Sequence, residues 1–358
     1  MQGFRNDKVT FTRFIAAVAI VIFHFGSDVF PFNAEPISFI FKSAYVGVSY
    51  FFTLSGFIMI LAYSNCKRID ALGYYKSRFA RIAPAYYLAL VLCVPLIIEK
   101  WAEYSYSGIA LNITMLQAWN PSKALSGNSP SWSLSVELLF YFLFPFLFNF
   151  VYQSRKFWII VIVGGLFFLI SQVIHNSLIN SGVYQNFPLF RHNLIFYFPP
   201  MHLNEFLSGN IAGLFYMKYI ANKNSANGFW IILSIIAFCI VLKYPTGLSI
   251  HNGLLVLVFI PIIILISSDN GLIARIMSLK PLIFLGEISF GIYIFQMPIH
   301  EISYAIFKIF DISNYSVLFF SYLAILVLVS GLSFKFIETP LRRRINEISM
   351  RPGRLSDF

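Results

Sequence analysis

Ten long apolar runs succeed one another along this chain, separated by short polar segments. A window of about 19 residues places them over 9–30, 38–63, 82–98, 132–152, 157–175, 197–217, 228–243, 250–267, 281–307 and 315–337. About 20 apolar residues in helical form cross the hydrocarbon core of a bilayer. The pattern therefore predicts an all-α, polytopic integral membrane protein with about ten transmembrane helices. A weaker apolar stretch, 108–119, is too short to cross and is expected at the interface. No internal repeat or low-complexity tract interrupts the series. Arg5 and Lys8 ahead of the first run imitate a secretory leader. No small-x-small cleavage site follows, so the run reads as a retained first span.

Composition agrees. Of 358 residues, 58% are apolar and 11% charged, with 41 phenylalanines and a mean hydropathy of +0.74. A soluble protein of this size could not hide that much apolar surface. The net charge of +11 would suggest nucleic acid in a soluble protein. Here the basic residues sit between the apolar runs, so no nucleic-acid partner is expected and topology explains them. With the N-terminus inside, 20 of the 26 Lys and Arg fall on the cytoplasmic side. The outer side keeps Lys42, Lys100, Lys123, Arg191, Lys243 and Lys308. This bias predicts that both termini are cytoplasmic. Cys66 falls in a loop while Cys93 and Cys239 lie in apolar runs, so neither a disulfide nor a metal site is expected.

Ionisable groups inside the runs are the candidates for chemistry, since each costs at least about 2.5–3.5 kcal/mol to insert. Arg13 and His24 are eleven residues apart on the first span. That is three turns plus about 20°, so they share a face and lie roughly 16 Å apart along the axis. The plain alternatives are a neutral imidazole bonded to a neighbouring helix and a snorkelling arginine. In "YVGVSYFFTLSGFIMI" (45–60), Gly47, Ser49, Thr53, Ser55 and Gly56 bring small residues to the second span, which close helix packing alone could explain. In "YYKSRFARIAP" (74–84), Arg78 and Arg81 lie one turn apart, expected at the cytoplasmic mouth of the third span. Pro84 suits that helix's first turn, and two guanidiniums beside a positive helix end suit a phosphate. Ordinary positive-inside charge is the alternative. In "NSPSWSLSVELLFYFLFP" (128–145), Glu137 falls about five residues, some 7–8 Å, inside the fourth span. Ser131, Ser133 and Ser135 accompany it, with Trp132 expected at interface depth.

The Arg-x10-His of the first span, "FFTLSGF", Arg78-x-x-Arg81, "SWSLSVEL", "LGEISFGIYIFQMPI" and "FIETPLRR" occur in that order from about residue 5 to 344. Together they resemble acyltransferase family 3, the multi-span O-acyltransferases of bacterial surface polysaccharides. The resemblance implies transfer of acetyl or another short acyl group from cytosolic acyl-CoA to a carbohydrate hydroxyl, at the bacterial inner membrane. It implies that His24 is the essential histidine, Arg13 its paired arginine and Arg78 with Arg81 the Arg-x-x-Arg pair. Trp132, Ser133 and Glu137 match the block that opens the fourth span. One position departs. Members often read a histidine where this chain has Gln296 in "YIFQMP", and His300 one turn on does not fill that place.

A sugar hydroxyl attacking a thioester needs a base, and an imidazole can serve. Glu137 is expected to hold the tautomer of His24, as the acid of a hydrolytic triad does. Ser55, Ser133 and Ser135 stay open as covalent carriers. Arg13, Arg78 and Arg81 are expected to hold the CoA phosphates; no metal is called for. The expected layout is a membrane acyltransferase domain over 1–344 and a short basic cytoplasmic tail over 345–358 lying on the anionic leaflet. A transporter or flippase for a polar or lipid-linked solute explains intramembrane charge equally well, and a structural subunit of a polysaccharide-synthesising complex is a third reading. Acceptor sugar, acyl chain, side of transfer and oligomeric state do not follow from the sequence.

Overall fold

The computed structural model describes residues 6–99, 106–223, 225–244 and 247–347. Arg5, Lys100 and the tail beyond 347, with Arg351 and Arg354, lie outside the described residues. Among the described residues the secondary structure is helical, with no β-strand. Ten helices coincide with the ten apolar runs. They are α1 (Thr10–Phe25), α2 (Gly47–Tyr63), α3 (Ala71–Leu92), α4 (Trp132–Phe146) and α5 (Phe157–Ile179). The other five are α6 (Leu203–Tyr219), α7 (Gly228–Lys243), α8 (Val256–Ser268), α9 (Lys280–Ile309) and α10 (Tyr315–Ser333). Among the described residues, six segments are long and apolar enough to cross a bilayer, those containing α1, α2, α4, α5, α9 and α10; α7 and α8 are apolar but shorter.

Several ends differ from the hydropathy boundaries: α2, α6 and α8 begin at Gly47, Leu203 and Val256, later than 38, 197 and 250, and two further ends have a visible cause. Helix α1 stops at Gly26, whose N–H still bonds the Ile22 carbonyl at 2.8 Å, and turns follow through 34. The ring of Phe319 lies 2.5 Å from where a Gly26 Cβ would stand, so the helix end is shaped to receive it. Helix α3 begins at Ala71, well before the predicted 82, because the Asp70 side chain caps it by accepting from Gly73 N–H at 2.9 Å. Pro84 is therefore an interior proline and not a first-turn one, and the helix N-terminus is not beside the arginines. The hydropathy window cut this helix short because its first three turns carry Lys76, Arg78 and Arg81.

Helices α2 and α6 form the most extensive pair, then α1 with α9 and α9 with α10. Their closeness is written in glycines. A Cβ on Gly56 would lie 2.2 Å from the Phe206 carbonyl oxygen, and one on Gly209 2.0 Å from that of Thr53. On α9, a Cβ at Gly286 would meet the Thr10 carbonyl at 2.1 Å. Small residues let backbones touch where lipid supplies no hydrophobic drive between helices. The opposite behaviour appears on α5, which exposes Trp158, Ile162, Leu166, Leu169 and Val173, the face of a helix turned to lipid.

Candidate active site

Helices α1, α2, α3, α4 and α9 enclose a cavity of about 760 Å³, mouth included. Arg13 comes from α1, Ser55 from α2, Arg78 and Arg81 from α3, Ser133, Glu137 and Tyr141 from α4, and Tyr293 from α9. Six of the candidate residues singled out in the sequence line it, Arg13, Ser55, Arg78, Arg81, Ser133 and Glu137, with Trp132 just behind its wall and Ser135 turned away. His24 does not line it.

The guanidiniums keep unequal company: Arg78 bonds the Tyr63 hydroxyl, and Arg81 lies within the field of Glu338. Arg78 lies over the rings of Tyr74 and Tyr141, 5.6 and 5.9 Å from their centroids, and its Nε has no hydrogen-bond partner. Such ring faces offset only a small part of a cation's lost hydration. Arg13 feels the charges of Arg81 and Glu137. Glu137 makes its hydrogen bond with Tyr141, whose hydroxyl donates to Oε1 at 2.5 Å. With three cations against one carboxylate, the cavity favours an anion carrying several oxygens. A second cavity shares Arg13, Leu54, Ile58, Arg81 and Phe290 with the first and continues to Glu338 and Arg342. Arg13 and Arg81, which line both, thus stand between Arg342 and the inner chamber at Glu137 and Ser133.

His24 stands at the other end of α1. Its Nδ1 is 2.7 Å from Gln296 Oε1, and Gln296 Nε2 donates to the Tyr293 carbonyl at 2.7 Å. The imidazole is exposed, flanked by Phe23 and Phe25 with ring centroids 5.1 and 5.8 Å away. The expected contact between His24 and Glu137 is not formed, since Gln296 and Tyr141 are their respective partners. The reason is depth. Tyr293 Oη lies 2.9 Å from Ser133 Oγ, which fixes the register of α9 against α4. Gln296 is one turn from Tyr293 toward the His24 end, and Glu137 one turn from Ser133 the other way. The two groups are therefore roughly 10 Å apart in depth. Helix α4 starts already sunk in the protein, with Ser131 fully buried, so counting from its first residue placed Glu137 too near the surface.

Trp132 likewise departs from the interface expected of it. It is buried, packed edge-on against Phe52 and tilted over Tyr197 and His202. Behind it the Glu205 carboxylate accepts from Ser49 Oγ and bonds His202 Nδ1 at 2.8 Å, bracing α2 to α6 behind the cavity wall. Ser133 Oγ is 3.1 Å from the Pro130 carbonyl. Ser135 turns away from the cavity and bonds the Met115 carbonyl at 2.7 Å. Tyr141, Tyr293 and Arg342 were not anticipated. The first could have been found from its i+4 spacing to Glu137; the other two lie inside the quoted motifs "LGEISFGIYIFQMPI" and "FIETPLRR", which did not single them out.

A many-helix membrane bundle with an arginine-rich chamber opening toward one end, and an imidazole toward the other, defines a class of membrane enzyme or carrier. The chain belongs to the acyltransferase family 3: the model of its acyltransferase domain matches residues 6–335. It is 24% identical to the O-acetyltransferase OatA of Staphylococcus aureus (strain MRSA252), over 97% of this chain and 59% of that protein. It is 25% identical to the peptidoglycan O-acetyltransferase OatA of Listeria monocytogenes serovar 1/2a, over 92% of this chain and 55% of that protein. The acyltransferase MdmB of Streptomyces mycarofaciens is 24% identical, over 95% of this chain and 92% of its own length. The chain thus spans little more than half of the OatA proteins it resembles. No solved structure matches it.

Proposed function

We propose that this protein is a membrane O-acyltransferase that moves acetyl, or another short acyl group, from cytosolic acyl-CoA to a hydroxyl of a cell-surface polysaccharide or its lipid-linked precursor. The observation that carries the reading is the cluster of Arg13, Arg78 and Arg81 in one chamber, with Glu137 engaged by Tyr141. Coenzyme A brings a diphosphate and a further phosphate, which guanidiniums hold by charge-assisted, forked hydrogen bonds. The OatA relatives, named as O-acetyltransferases and one of them as acting on peptidoglycan, support the acyl class and a polysaccharide acceptor. The chain is read as ten spans of the bacterial inner membrane with both termini cytoplasmic, which puts Arg342 on the side of the donor.

In this reading the arginines hold the nucleotide end while the pantetheine arm extends along α1 toward His24. The two ends of that path, Arg13 and His24, are roughly 16 Å apart. The acceptor oxygen attacks the thioester carbonyl carbon, its proton passes to His24 Nε2, the C–S bond breaks, and CoA leaves as the thiolate. General-base help of this kind is worth roughly 10²–10⁴ in rate. Glu137 tempers the positive charge of the chamber, so that CoA is released after transfer. Ser55 and Ser133 line the thioester's path, and Trp132 supports that wall from behind.

The test uses purified protein in proteoliposomes with acetyl-CoA and a polysaccharide fragment. Release of free CoA thiol coupled to acceptor acetylation, abolished in His24→Ala, is expected. A carrier would move solute without consuming the thioester, and that outcome would overturn the assignment.

A further inference from the structure

Gln296 is completely buried, on α9 beside the one imidazole that the proposed reaction uses. A buried primary amide must place both its polar ends. Its NH₂ end is fixed: the neighbour at 2.7 Å is the Tyr293 carbonyl, which can only accept. The C=O end therefore faces His24 Nδ1, also at 2.7 Å. Since that oxygen can only accept, Nδ1 must carry the hydrogen. The backbone around the amide is itself pinned, because the Tyr322 hydroxyl donates to the Gln296 carbonyl at 2.9 Å. A neutral imidazole bears one N–H, and the bond made by one nitrogen sets the state of the other. Nε2 is left as a bare lone pair on an exposed ring, with no hydrogen-bond partner among the described residues.

We infer that Gln296 is the positioning residue for His24, locking the Nδ1–H tautomer so that Nε2 is ready to take the proton of an acceptor hydroxyl. This rests on the acyltransferase reading above, and it assigns to an amide the task expected of Glu137. The difference has chemical content. A carboxylate in that place would add a negative charge and stabilise the imidazolium. An amide fixes orientation while adding no charge and exchanging no proton.

The experiment is ¹⁵N NMR of histidine-labelled protein in nanodiscs. The His24 signal is isolated from the six histidines by difference against His24→Ala. Wild type should show a protonated Nδ1 and an unprotonated Nε2. Gln296→Leu, which keeps the apolar contacts but has no acceptor, should release the ring to the Nε2–H form favoured by imidazole in water. Its kcat should fall by at least about ten-fold, with the KM for acyl-CoA unchanged; a wrong tautomer in a hydrolytic triad costs up to about 10⁴. Gln296→Glu restores an acceptor. It should recover the Nδ1–H form and most of the rate, with the acid limb of the pH–rate profile moved to higher pH. An Nε2–H ring in wild type overturns the inference even if Gln296→Leu does not fold. So does a folded Gln296→Leu with unchanged tautomer or unchanged kcat. Transfer surviving in His24→Ala would instead sink the functional reading, whatever the spectra show.

Discussion

The Tyr141 hydroxyl donates to the Glu137 carboxylate from one turn further along α4, within the electrostatic field of Arg78 and Arg81. This pairing commits the carboxylate to the arginine end of the cavity and leaves His24 to Gln296. Its consequence is testable through charge. Glu137→Gln removes the anion that competes with CoA phosphates, so donor binding should tighten, by up to about ten-fold or 1.4 kcal/mol. The pH limb belonging to His24 should stay where it is, because a charge some 10 Å off and beside three cations is well compensated. Binding is read by titration calorimetry and the limb from kcat against pH. A limb displaced to lower pH would restore a direct His24–Glu137 contact.

Arg78 and Arg81 are expected to act on donor affinity. A hydrogen bond to a charged group contributes about 1.5–3 kcal/mol, so each single alanine variant should weaken acyl-CoA binding by about ten-fold or more. Lysine at either position keeps the charge but loses the planar fork, and should fall between wild type and alanine. Higher salt should weaken binding by wild type more than by the double variant Arg78→Ala/Arg81→Ala, which has fewer ionic contacts to screen. Equal affinity in the double variant and wild type would reduce the pair to topology signals.

Much of this arrangement was legible in the chain. Every apolar run holds a helix, and two ionisable groups inside the runs, Arg13 and Glu137, meet Arg78 and Arg81 in one cavity, since burial costs so much that few such groups are kept. Azimuth and depth were not legible. Hydropathy locates a helix along the sequence but says nothing of how far its first residue is sunk, which misplaced Glu137, nor which neighbour faces it. The beginning of α3 was hidden for the opposite reason: the residues that make it functional, Arg78 and Arg81, are those a hydropathy window rejects. Its start signal was the Asp70 cap with Gly73. Gln296 stood out only as a departure from the family pattern, and its use emerges from three hydrogen bonds that no linear motif encodes.

The α2–α6 contact offers a stability test independent of chemistry. Alanine is ordinarily preferred to glycine within a helix by about 1 kcal/mol. At Gly56 and Gly209 the new methyl would instead meet a backbone carbonyl oxygen at 2.2 and 2.0 Å. Backbone cannot rotate aside as a side chain does, and overpacking typically costs about 1–3 kcal/mol. Gly56→Ala and Gly209→Ala should therefore lower the melting temperature in detergent. Gly165→Ala on α5, where nothing lies within 4 Å of the added carbon, should hold or raise it. A stabilised Gly209→Ala would mean that α2 and α6 are further apart than described.

Topology turns on the two apolar helices that fall short of a full span, α7 and α8. At 1.5 Å per residue, the 16 residues of α7 and the 13 of α8 reach only about 24 and 20 Å, against a hydrocarbon core of about 30 Å. If both cross, the segment joining them must complete the passage and present Leu248 to the outer side. If instead they form a hairpin that dips into the membrane and returns, Leu248 lies within the bilayer while the positions before and after keep their sides. Single cysteines in a cysteine-free background, probed with a membrane-impermeant maleimide, separate the cases. Ser122→Cys, Asn186→Cys and Leu248→Cys, all at exposed positions, should label in intact cells whose outer barrier has been removed. Asn65→Cys, Asn222→Cys and Glu347→Cys, also exposed, should label only after permeabilisation. Silence at Leu248 before and after permeabilisation, with the other five as stated, would replace the ten-span reading by eight spans and a re-entrant pair. Labelling of Glu347→Cys from outside would overturn the cytoplasmic placement of the C-terminus, and with it the donor entry at Arg342.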